Sequence, residues 1–317
     1  MKYKTHLQNH TNWTIALDRG YLDIFNDAFI LDAKYEATTG AEVASKQVHL
    51  TKQDQLATAL ENTRELFDGN LGHYKQEKIH LEAEDGALPI HSKAYSVPVK
   101  HQHSFLKELW HLESINILKQ CGPTEWATPT FIIPKKDGRV QWISDLCKLN
   151  KVLKQKVYPL PLIDEVVSRC ADHKFFTKLD LTIMYYSFEL DDESKELCMV
   201  VTPYGKYQYQ QMAMELKPAP DVAQCYIEKT LHGLKEQDVE VYINDVGLFS
   251  NSYEEHMQFI KTVVKRLQEA GFKIKPLKCE WCVQETNFLG HWLTPEGVIP
   301  CKKKVDAILK MNAPRNY

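Results

Sequence analysis

The sequence predicts an α+β fold, in which helices and mainly antiparallel strands are mixed rather than arranged in a regular βαβ repeat. Two segments, residues 218–231 and 253–270, carry apolar side chains at helical spacing. Elsewhere, short segments of apolar residues are separated by turn signals such as Tyr204-Gly205. At 317 residues the chain is long enough to form two or more lobes around a sizeable core.

Two helices are predicted in the first part of the chain. Residues 51–67 show helical spacing behind Thr51, a residue type that caps helix N-termini, and the pattern stops at Asp68-Gly69. A second helix begins near Phe105 and is expected to end near Cys121. The connector between the two helices contains two prolines and is expected to be extended.

Six short strands are predicted in the middle of the chain. They cover residues 130–134, 140–144, 175–180, 186–190, 199–202 and 206–210, with a turn at Asp137-Gly138. Helices follow at residues 218–231 and 253–270, and Gly271 ends the second of them.

The segment around Asn244-Asp245 has the pattern of a tight β-hairpin. Apolar and polar residues alternate from Val239 to Ile243, and the alternation resumes at Val246. Asn and Asp tolerate positive φ, so the pair fits the two-residue tip of the turn. Taken alone, this pattern predicts only a turn.

A second acidic strand end changes the interpretation of that turn. The strand of residues 175–180 ends on Asp180. If this strand and the hairpin belong to one sheet, Asp180 and Asp245 supply the oxygen ligands that Mg²⁺ prefers. Two metal ions roughly 4 Å apart can serve nucleotidyl transfer to a primer 3′-hydroxyl, although Asn244 brings no charge to such a site.

The cysteine spacing and the lack of long apolar runs indicate the cellular compartment of the protein. Eight cysteines at irregular spacing indicate reduced thiols rather than disulfides, and the pair Cys279 and Cys282 has zinc-ligand spacing without a second pair. No apolar run reaches the roughly eighteen residues of a membrane span, and residues 1–14 lack the apolar centre of a signal peptide. We expect an intracellular protein, cytoplasmic or nuclear, that is neither secreted nor membrane-bound.

The charge balance is nearly neutral. The chain has 39 Lys and Arg against 42 Asp and Glu, a formal net charge of −3. A nucleic-acid partner would therefore depend on local lysine patches, for which residues 135–136, 148–156 and 302–304 are candidates.

Several segments occur in the order and spacing of reverse transcriptases. They are residues 126–138, 148–151, 158–161, 178–181, 242–245 and 288–291, which read WATPTFIIPKKDG, KLNK, YPLP, KLDL, YIND and FLGH. The chain resembles a fragment of the polyprotein of a gypsy-type LTR retrotransposon. The resemblance implies the fingers and palm of a right-hand polymerase, with a ferredoxin-like palm sheet and a truncated thumb.

The same resemblance implies a domain organisation. Residues 1–100 would be a lead-in with a helix near 51–67, residues 101–160 and roughly 190–218 the fingers, residues 161–290 the palm, and residues 291–317 the start of the thumb. Protease, RNase H and integrase domains of the same polyprotein would be partners, together with dNTPs and an RNA or DNA template with its primer.

The resemblance also implies the site residues, because each role belongs to a position in the family's motifs. The catalytic positions are Asp180, Asp245 and Asn244, and the metal ligands are Asp180, Asp245 and the Leu181 backbone, for Mg²⁺ or Mn²⁺, two ions if the site is active. The nucleotide-binding positions are Lys135, Lys136, Gln141, Tyr185 and Leu181. The template and primer positions are Glu215, Gln224, Phe288, Leu289 and Gly290.

This sequence departs from the family's pattern at positions that matter for the chemistry. Asn244 replaces an Asp that would touch both metals, Glu215 and Met184 replace glycines, and Gln141 and Cys147 replace arginines of the fingers. The resemblance therefore implies RNA-directed DNA polymerase ancestry with impaired catalysis. An active RNA- or DNA-templated polymerase and a non-catalytic nucleic-acid-binding remnant are the alternatives.

Overall fold

The computed structural model describes residues 52–135, 140–234 and 238–311. Its helices are α1 Lys52–Glu61, α2 Val99–Ser114, α3 Cys147–Val152, α4 Ile163–Arg169, α5 Asp192–Leu197, α6 Ala219–Thr230, α7 Tyr253–Ala270 and α8 Lys302–Leu309. Its strands are β1 Leu118–Cys121, β2 Thr128–Pro134, β3 Val140–Ser144, β4 Phe175–Asp180, β5 Met199–Thr202, β6 Gly205–Tyr209, β7 Val239–Tyr242, β8 Asp245–Ser250, β9 Glu280–Val283, β10 Thr286–Phe288, β11 His291–Thr294 and β12 Gly297–Pro300. The predicted α+β class is confirmed.

The strands form three sheets. A five-stranded sheet has the order β1-β6-β5-β2-β3, a four-stranded sheet the order β7-β8-β4-β9, and a three-stranded sheet the order β10-β11-β12. Pairing is antiparallel except between β2 and β5, which run parallel. The four-stranded sheet brings together strands that are far apart in the sequence, and it carries the candidate site.

Helices cover one face of the four-stranded sheet. Val246 and Leu248 of β8 and Leu179 of β4 belong to the main core, together with Ile227 of α6 and Ile260 of α7. The burial of these side chains stabilises the sheet because apolar surface is removed from water.

The opposite face of that sheet packs a smaller cluster. Phe176 and Phe249 lie directly opposite each other in β4 and β8, and they pack with Val166 of α4, Phe288 of β10 and Leu293 of β11. Side chains alternate between faces along a strand, so Lys178 and Asp180 lie on the same face as Phe176. Polar residues of the sheet therefore border this apolar cluster.

Helix α7 has the bounds that its pattern predicts. Its buried residues recur at helical spacing, and the Ser252 side chain accepts a hydrogen bond from the N–H of Glu255 at 3.3 Å. The helix ends at Gly271, whose φ is 89°. A Cβ there would lie 1.8 Å from the carbonyl oxygen of His73, so the position requires glycine.

The connector between α1 and α2 is extended, as predicted. The N–H of Tyr74 donates to the carbonyl of Ser187 at 2.8 Å, and the N–H of Ile79 donates to the carbonyl of Glu189 at 2.7 Å. Further along, the Ala127 N–H donates to the carbonyl of Ile90 at 2.8 Å. The connector is thus held by backbone hydrogen bonds to several separate parts of the chain that follow it.

Three predictions in the first two hundred residues are wrong. Helix α2 begins at Val99 rather than near Phe105, and it ends at Ser114 rather than near Cys121, because Asn116 takes a left-handed conformation with φ 57° and lets β1 begin. The segment 51–67 splits into α1 and a short 3₁₀ helix, Arg64–Phe67. The strand predicted at residues 186–190 is replaced by a 3₁₀ helix, Met184–Ser187, and by isolated β-bridges at Glu189 and Leu190.

The other predicted strands are confirmed within two residues, whereas the short helices α3, α4 and α5 were not predicted. The expectations for residues 1–51, including the Thr51 cap, and for the Asp137-Gly138 turn lie outside the described residues. Among the residues that are described, no helix is both long and apolar enough to cross a membrane.

Candidate active site

Two carboxylates meet at one edge of the four-stranded sheet. Asp180 is the last residue of β4 and Asp245 the first of β8, and the antiparallel register places them directly opposite each other. Directly opposed side chains in an antiparallel pair have Cβ atoms roughly 5 Å apart. The sheet thus brings together two acids that are far apart in the sequence.

The hairpin tip lies one residue earlier than predicted. β7 ends at Tyr242 and β8 begins at Asp245, so the two loop residues are Ile243 and Asn244. Ile243 has a φ of 54°, which is rare for a β-branched residue because its Cβ crowds the backbone. Asp245 pairs with both Tyr242 and Asp180. The two strand ladders therefore fix the turn against the local preference of Asn and Asp.

The turn is held from both sides by hydrogen bonds. Gln224 of α6 is fully buried, donates to the carbonyl of Val241 at 2.9 Å and accepts from the N–H of Ile243 at 2.7 Å. The N–H of Leu181 donates to the carbonyl of Asn244 at 2.9 Å. Gln224 was predicted to contact template or primer. Its burial leaves no surface for that contact, and it supports the turn instead.

Two lysines balance the acidic groups. Lys278 Nζ lies 2.8 Å from Asp180 Oδ2, and Lys178 Nζ lies 2.6 Å from Glu280 Oε1. Asp180 itself is buried, whereas the Lys278 side chain is 55% exposed. The ammonium group of Lys278 therefore supplies positive charge to one of the two site carboxylates.

Burial and charge shift the pKa of the second acid. The pKa of Asp245 is raised, chiefly because the carboxyl group is withdrawn from water and further because the Asp180 carboxylate lies nearby. Lys178 and Lys278 act in the opposite direction. The arrangement thus favours any additional cation that neutralises the pair.

A second tight turn faces the same cleft. Leu289 and Gly290, at φ 49° and 80°, join β10 to β11, as a type I′ turn requires. They line a cleft of about 490 Å³ together with Asp180, Asp245 and Lys278. The structure therefore brings two of the predicted primer residues to the carboxylates.

Phe288 does not face the cleft. Its side chain is buried, and its ring centroid lies 5.7 Å from that of Phe249. It was predicted to contact template or primer, but it anchors the Leu289-Gly290 turn to the sheet. Gly247 makes this packing possible, since a Cβ there would lie 2.9 Å from Phe288 Cζ.

The predicted nucleotide-binding residues lie on two elements. Tyr185 is half-buried in the 3₁₀ helix after Asp180, and burial, assisted by Tyr242, raises the pKa of its hydroxyl. Gln141 lies in β3 and pairs with Ile133, and Lys135 is exposed just after β2. Lys136 lies outside the described residues.

Glu215 is oriented differently from the prediction. It was expected to put negative charge where a template approaches, but both of its carboxylate oxygens are buried and lack a hydrogen-bond partner among the described residues. Burial raises the pKa of this carboxyl group. Its charge is therefore turned into the protein.

Sequence reasoning missed several residues that shape the site. Lys278 and Lys178 stand beside the acids, and Asn150 holds the backbone of the Glu215 loop by donating to the Glu215 carbonyl at 2.8 Å and accepting from the Lys217 N–H at 2.7 Å. Asn150 lies in the KLNK motif, and that position could have identified it as a site residue. The contacts of Lys278 and Lys178 depend on tertiary packing, and no local sequence pattern predicts them.

Cys279 and Cys282 have zinc-ligand spacing in the sequence. Within the described part of the chain, no group of three or more His, Cys, Asp or Glu side chains could hold a metal ion. Cys279 instead donates to the carbonyl of Lys275 at 3.3 Å, and none of the eight cysteines forms a disulfide.

Comparison with known proteins identifies the family. A family model described as reverse transcriptase (RNA-dependent DNA polymerase) matches residues 133–293. An uncharacterized protein of Caenorhabditis elegans is 31% identical over 83% of this chain and 21% of its own length. The retrovirus-related Pol polyprotein from transposon 297 of Drosophila melanogaster is 30% identical over 71% of this chain and 22% of its own length. The transposon Tf2-3 polyprotein of Schizosaccharomyces pombe is 28% identical over 75% of this chain and 18% of its own.

The chain thus spans about a fifth of the length of these curated relatives.

Solved structures of the foamy viral protease-reverse transcriptase share the fold of this chain. The complex with RNA/DNA hybrid superposes with a TM-score of 0.75 at 18% identity, over 87% of this chain and 39% of the viral one. A complex with double-stranded DNA gives 0.78 at 18% identity, over 93% and 49%. The right-hand fingers and palm fold is confirmed. Because the family model covers half of the residues of this chain, the chain belongs to the reverse transcriptase family.

Proposed function

We propose that the chain descends from an RNA-directed DNA polymerase that transfers nucleotides to a primer 3′-hydroxyl, and that its own catalysis is impaired. The observation that carries this proposal is the pairing of Asp180 with Asp245 beside a turn in which Asn244 stands. Two opposed carboxylates suit the binding of a divalent cation. An amide at the turn adds no charge for a second one.

The residues present fit one Mg²⁺ or Mn²⁺ ion better than two. Asp180, Asp245 and the Leu181 backbone carbonyl are the oxygen ligands available, and within the described residues no third acid, His or Cys joins the pair. When bound, divalent cations lower the pKa of the attacking hydroxyl and stabilise the leaving pyrophosphate. Here Lys278 already neutralises part of the charge of Asp180.

The remaining predicted residues would bind and orient the substrates. Leu289 and Gly290 line the cleft beside the acids and are placed to hold a primer end. Lys135, with Lys136, would bind the dNTP triphosphate as point charges, and Tyr185 would screen the nucleotide sugar. Gln141 would make weaker phosphate contacts than an arginine, because it lacks the charged bidentate fork.

The impairment has an expected size. Loss of one charged metal ligand removes several kcal/mol of transition-state stabilisation, which corresponds to a rate loss on the order of a thousandfold. The partners in this account are an RNA or DNA template with its primer, dNTPs, and the protease, RNase H and integrase domains of a polyprotein. We propose that the chain acts inside the cell, in the cytoplasm or nucleus.

Primer extension tests the proposal. The purified chain is given a poly(A) template, an oligo(dT) primer, dTTP and Mg²⁺ or Mn²⁺, beside an intact relative and the revertant Asn244→Asp, Gln141→Arg, Glu215→Gly. We expect weak or no incorporation by the chain and a large gain in the revertant. Incorporation within tenfold of the intact relative would show that catalysis is not impaired. Salt-sensitive primer–template binding without extension, even by the revertant, would favour a non-catalytic binding remnant.

A further inference from the structure

We infer that Gln224 is a positioning residue for the catalytic turn, and that Tyr158 and Glu228 couple this turn to the loop that follows α3. The inference rests on the proposed function only in so far as the turn carries the metal-binding acid Asp245. It concerns a helix face that contacts neither nucleotide nor metal in the proposed site.

Every hydrogen-bonding group of the Gln224 carboxamide is engaged. Its nitrogen donates to the carbonyl of Val241 at 2.9 Å and to Glu228 Oε1 at 2.7 Å, and its oxygen accepts from the Ile243 N–H at 2.7 Å. An amide offers two donors and one acceptor oxygen, so this set fixes its orientation. Because Gln224 is fully buried, water does not replace these bonds if the side chain is removed.

The bonded turn is strained. Ile243 has a φ of 54°, and backbone strain of this kind persists only where the surrounding structure imposes it. Gln224 binds the N–H of Ile243 itself and the carbonyl of Val241 two residues before it. The carboxamide thus holds the strained residue in the conformation that brings Asn244 and Asp245 to the edge of the sheet.

The same helix face binds the loop after α3. Tyr158 donates its hydroxyl to Glu228 Oε2 at 2.7 Å and its N–H to Asp221 Oδ1 at 2.8 Å, and Gln155 Nε2 donates to Asp221 Oδ2 at 3.0 Å. Asp221, Gln224 and Glu228 are three and four residues apart in α6 and therefore share one face of the helix. Glu228 bonds Tyr158 with one oxygen and Gln224 with the other, so the loop and the turn are linked through two side chains.

The test compares Gln224→Met with Thr230→Val. Methionine retains the volume of glutamine but makes none of its hydrogen bonds. Thr230 is a buried polar residue of the same helix whose hydroxyl donates to the Tyr226 carbonyl of that helix. Two quantities are measured for each full chain: the hydrogen-exchange rate of the Ile243 amide by NMR, and the Mn²⁺ dissociation constant by calorimetry.

We expect Gln224→Met to speed exchange of the Ile243 amide, relative to amides of α7, by about tenfold and to raise the Mn²⁺ dissociation constant by about tenfold, since a net hydrogen bond is worth roughly one such factor. Thr230→Val should leave both within twofold of the parent. Unchanged protection of Ile243 in Gln224→Met would overturn the inference. If the parent binds no Mn²⁺ at all, the proposed function fails, and the exchange rate still decides the role of Gln224.

Tyr158→Phe tests the coupling with a variant that keeps the Gln224 bonds. It should speed exchange at Ile243 by about threefold, a smaller effect because only one distant bond is lost. In a Gln224→Met background the same change should have no effect, since the link is already broken. Equal effects in both backgrounds would refute the coupling. If Gln224→Met does not fold, Tyr158→Phe alone tests the inference. Unchanged exchange of the Ile243 amide in that variant would then overturn it.

Discussion

Lys278 Nζ lies 2.8 Å from Asp180 Oδ2, so a positive charge of the chain itself already pairs with one of the two acids at the sheet edge. The other acid, Asp245, lies opposite Asp180 and has a raised pKa because of burial and its acidic neighbour. A divalent cation entering this site would compete with the lysine. The strength of that competition is measurable.

Lys278→Gln should strengthen Mn²⁺ binding. Removal of the ammonium group leaves Asp180 without its positive partner, and because the lysine is half exposed we expect a gain of only about fivefold in affinity. Calorimetric titration with Mn²⁺ measures it, and Lys265→Gln, an exposed lysine paired with Glu269 in α7, is the matched control. Unchanged or weaker binding in Lys278→Gln would show that the lysine does not compete with the metal.

His256 should make the fold sensitive to acid. Its imidazole is fully buried between Thr177 Oγ1 at 2.8 Å and Ser250 Oγ at 2.9 Å, and burial, assisted by His173, lowers its pKa to about 4. The unfolded chain takes up this proton near pH 6.5. Stability from this group is therefore complete above pH 6.5 and lost as pH falls from 6.5 towards 4, by about 3 kcal/mol in total.

Urea unfolding at pH 7.5 and pH 4.5 measures this effect. His256→Gln removes the titrating group, so the variant should lose less stability than the parent over that interval. The carboxylates that both proteins share contribute equally to the two losses of stability, so their contribution cancels when the losses are compared. Parallel loss of stability in parent and variant would contradict the assignment.

Glu215→Gln should stabilise the chain at neutral pH. The raised pKa of Glu215 means that its contribution to stability is complete below the pKa of the unfolded chain and is lost as pH rises through the folded pKa. Glutamine carries no charge into the buried site, so unfolding at pH 7.5 should require about 1 to 3 kcal/mol more free energy than in the parent. The gain should shrink at pH 4. A gain that is absent at pH 7.5 would mean that the carboxylate is well solvated.

Gly247→Ala should loosen the turn that faces the acids. The added Cβ would lie 2.5 Å from Phe249 Cζ and 2.9 Å from Phe288 Cζ, so both packed rings must move. Overpacking of this kind costs about 1 to 3 kcal/mol, and the displaced Phe288 should weaken primer–template binding. Melting temperature and fluorescence anisotropy with a labelled duplex measure the two effects. Gly122→Ala, where a Cβ meets nothing within 4 Å, is the control.

Much of the fold could be predicted from the sequence where local signals agree with tertiary packing. Helix α7 has its predicted bounds because its apolar period, its Ser252 cap and Gly271 all indicate the same helix. The three short helices between residues 147 and 197 have six or seven residues each. Segments this short show too few periods to be distinguished from loops.

The site could be predicted by position but not in detail. Asp180 and Asp245 meet as expected, because both stand at strand ends of one sheet. The hairpin tip shifted to Ile243 because two strand ladders overruled local turn preference. The inward orientations of Gln224 and Glu215, and the pairing of Lys278 with Asp180 across 98 residues of sequence, arise from tertiary packing, which no local pattern encodes.

Primer extension by the parent and by the single variant Asn244→Asp, on poly(A) and oligo(dT) with dTTP and Mg²⁺, tests most directly whether the turn is a polymerase site that lacks one charge. If the missing carboxylate limits catalysis, Asn244→Asp should raise incorporation by a factor on the order of a thousand, and the added Gln141→Arg should raise it further. Equal incorporation by the parent and by Asn244→Asp, both at the level of an intact relative, would contradict the account.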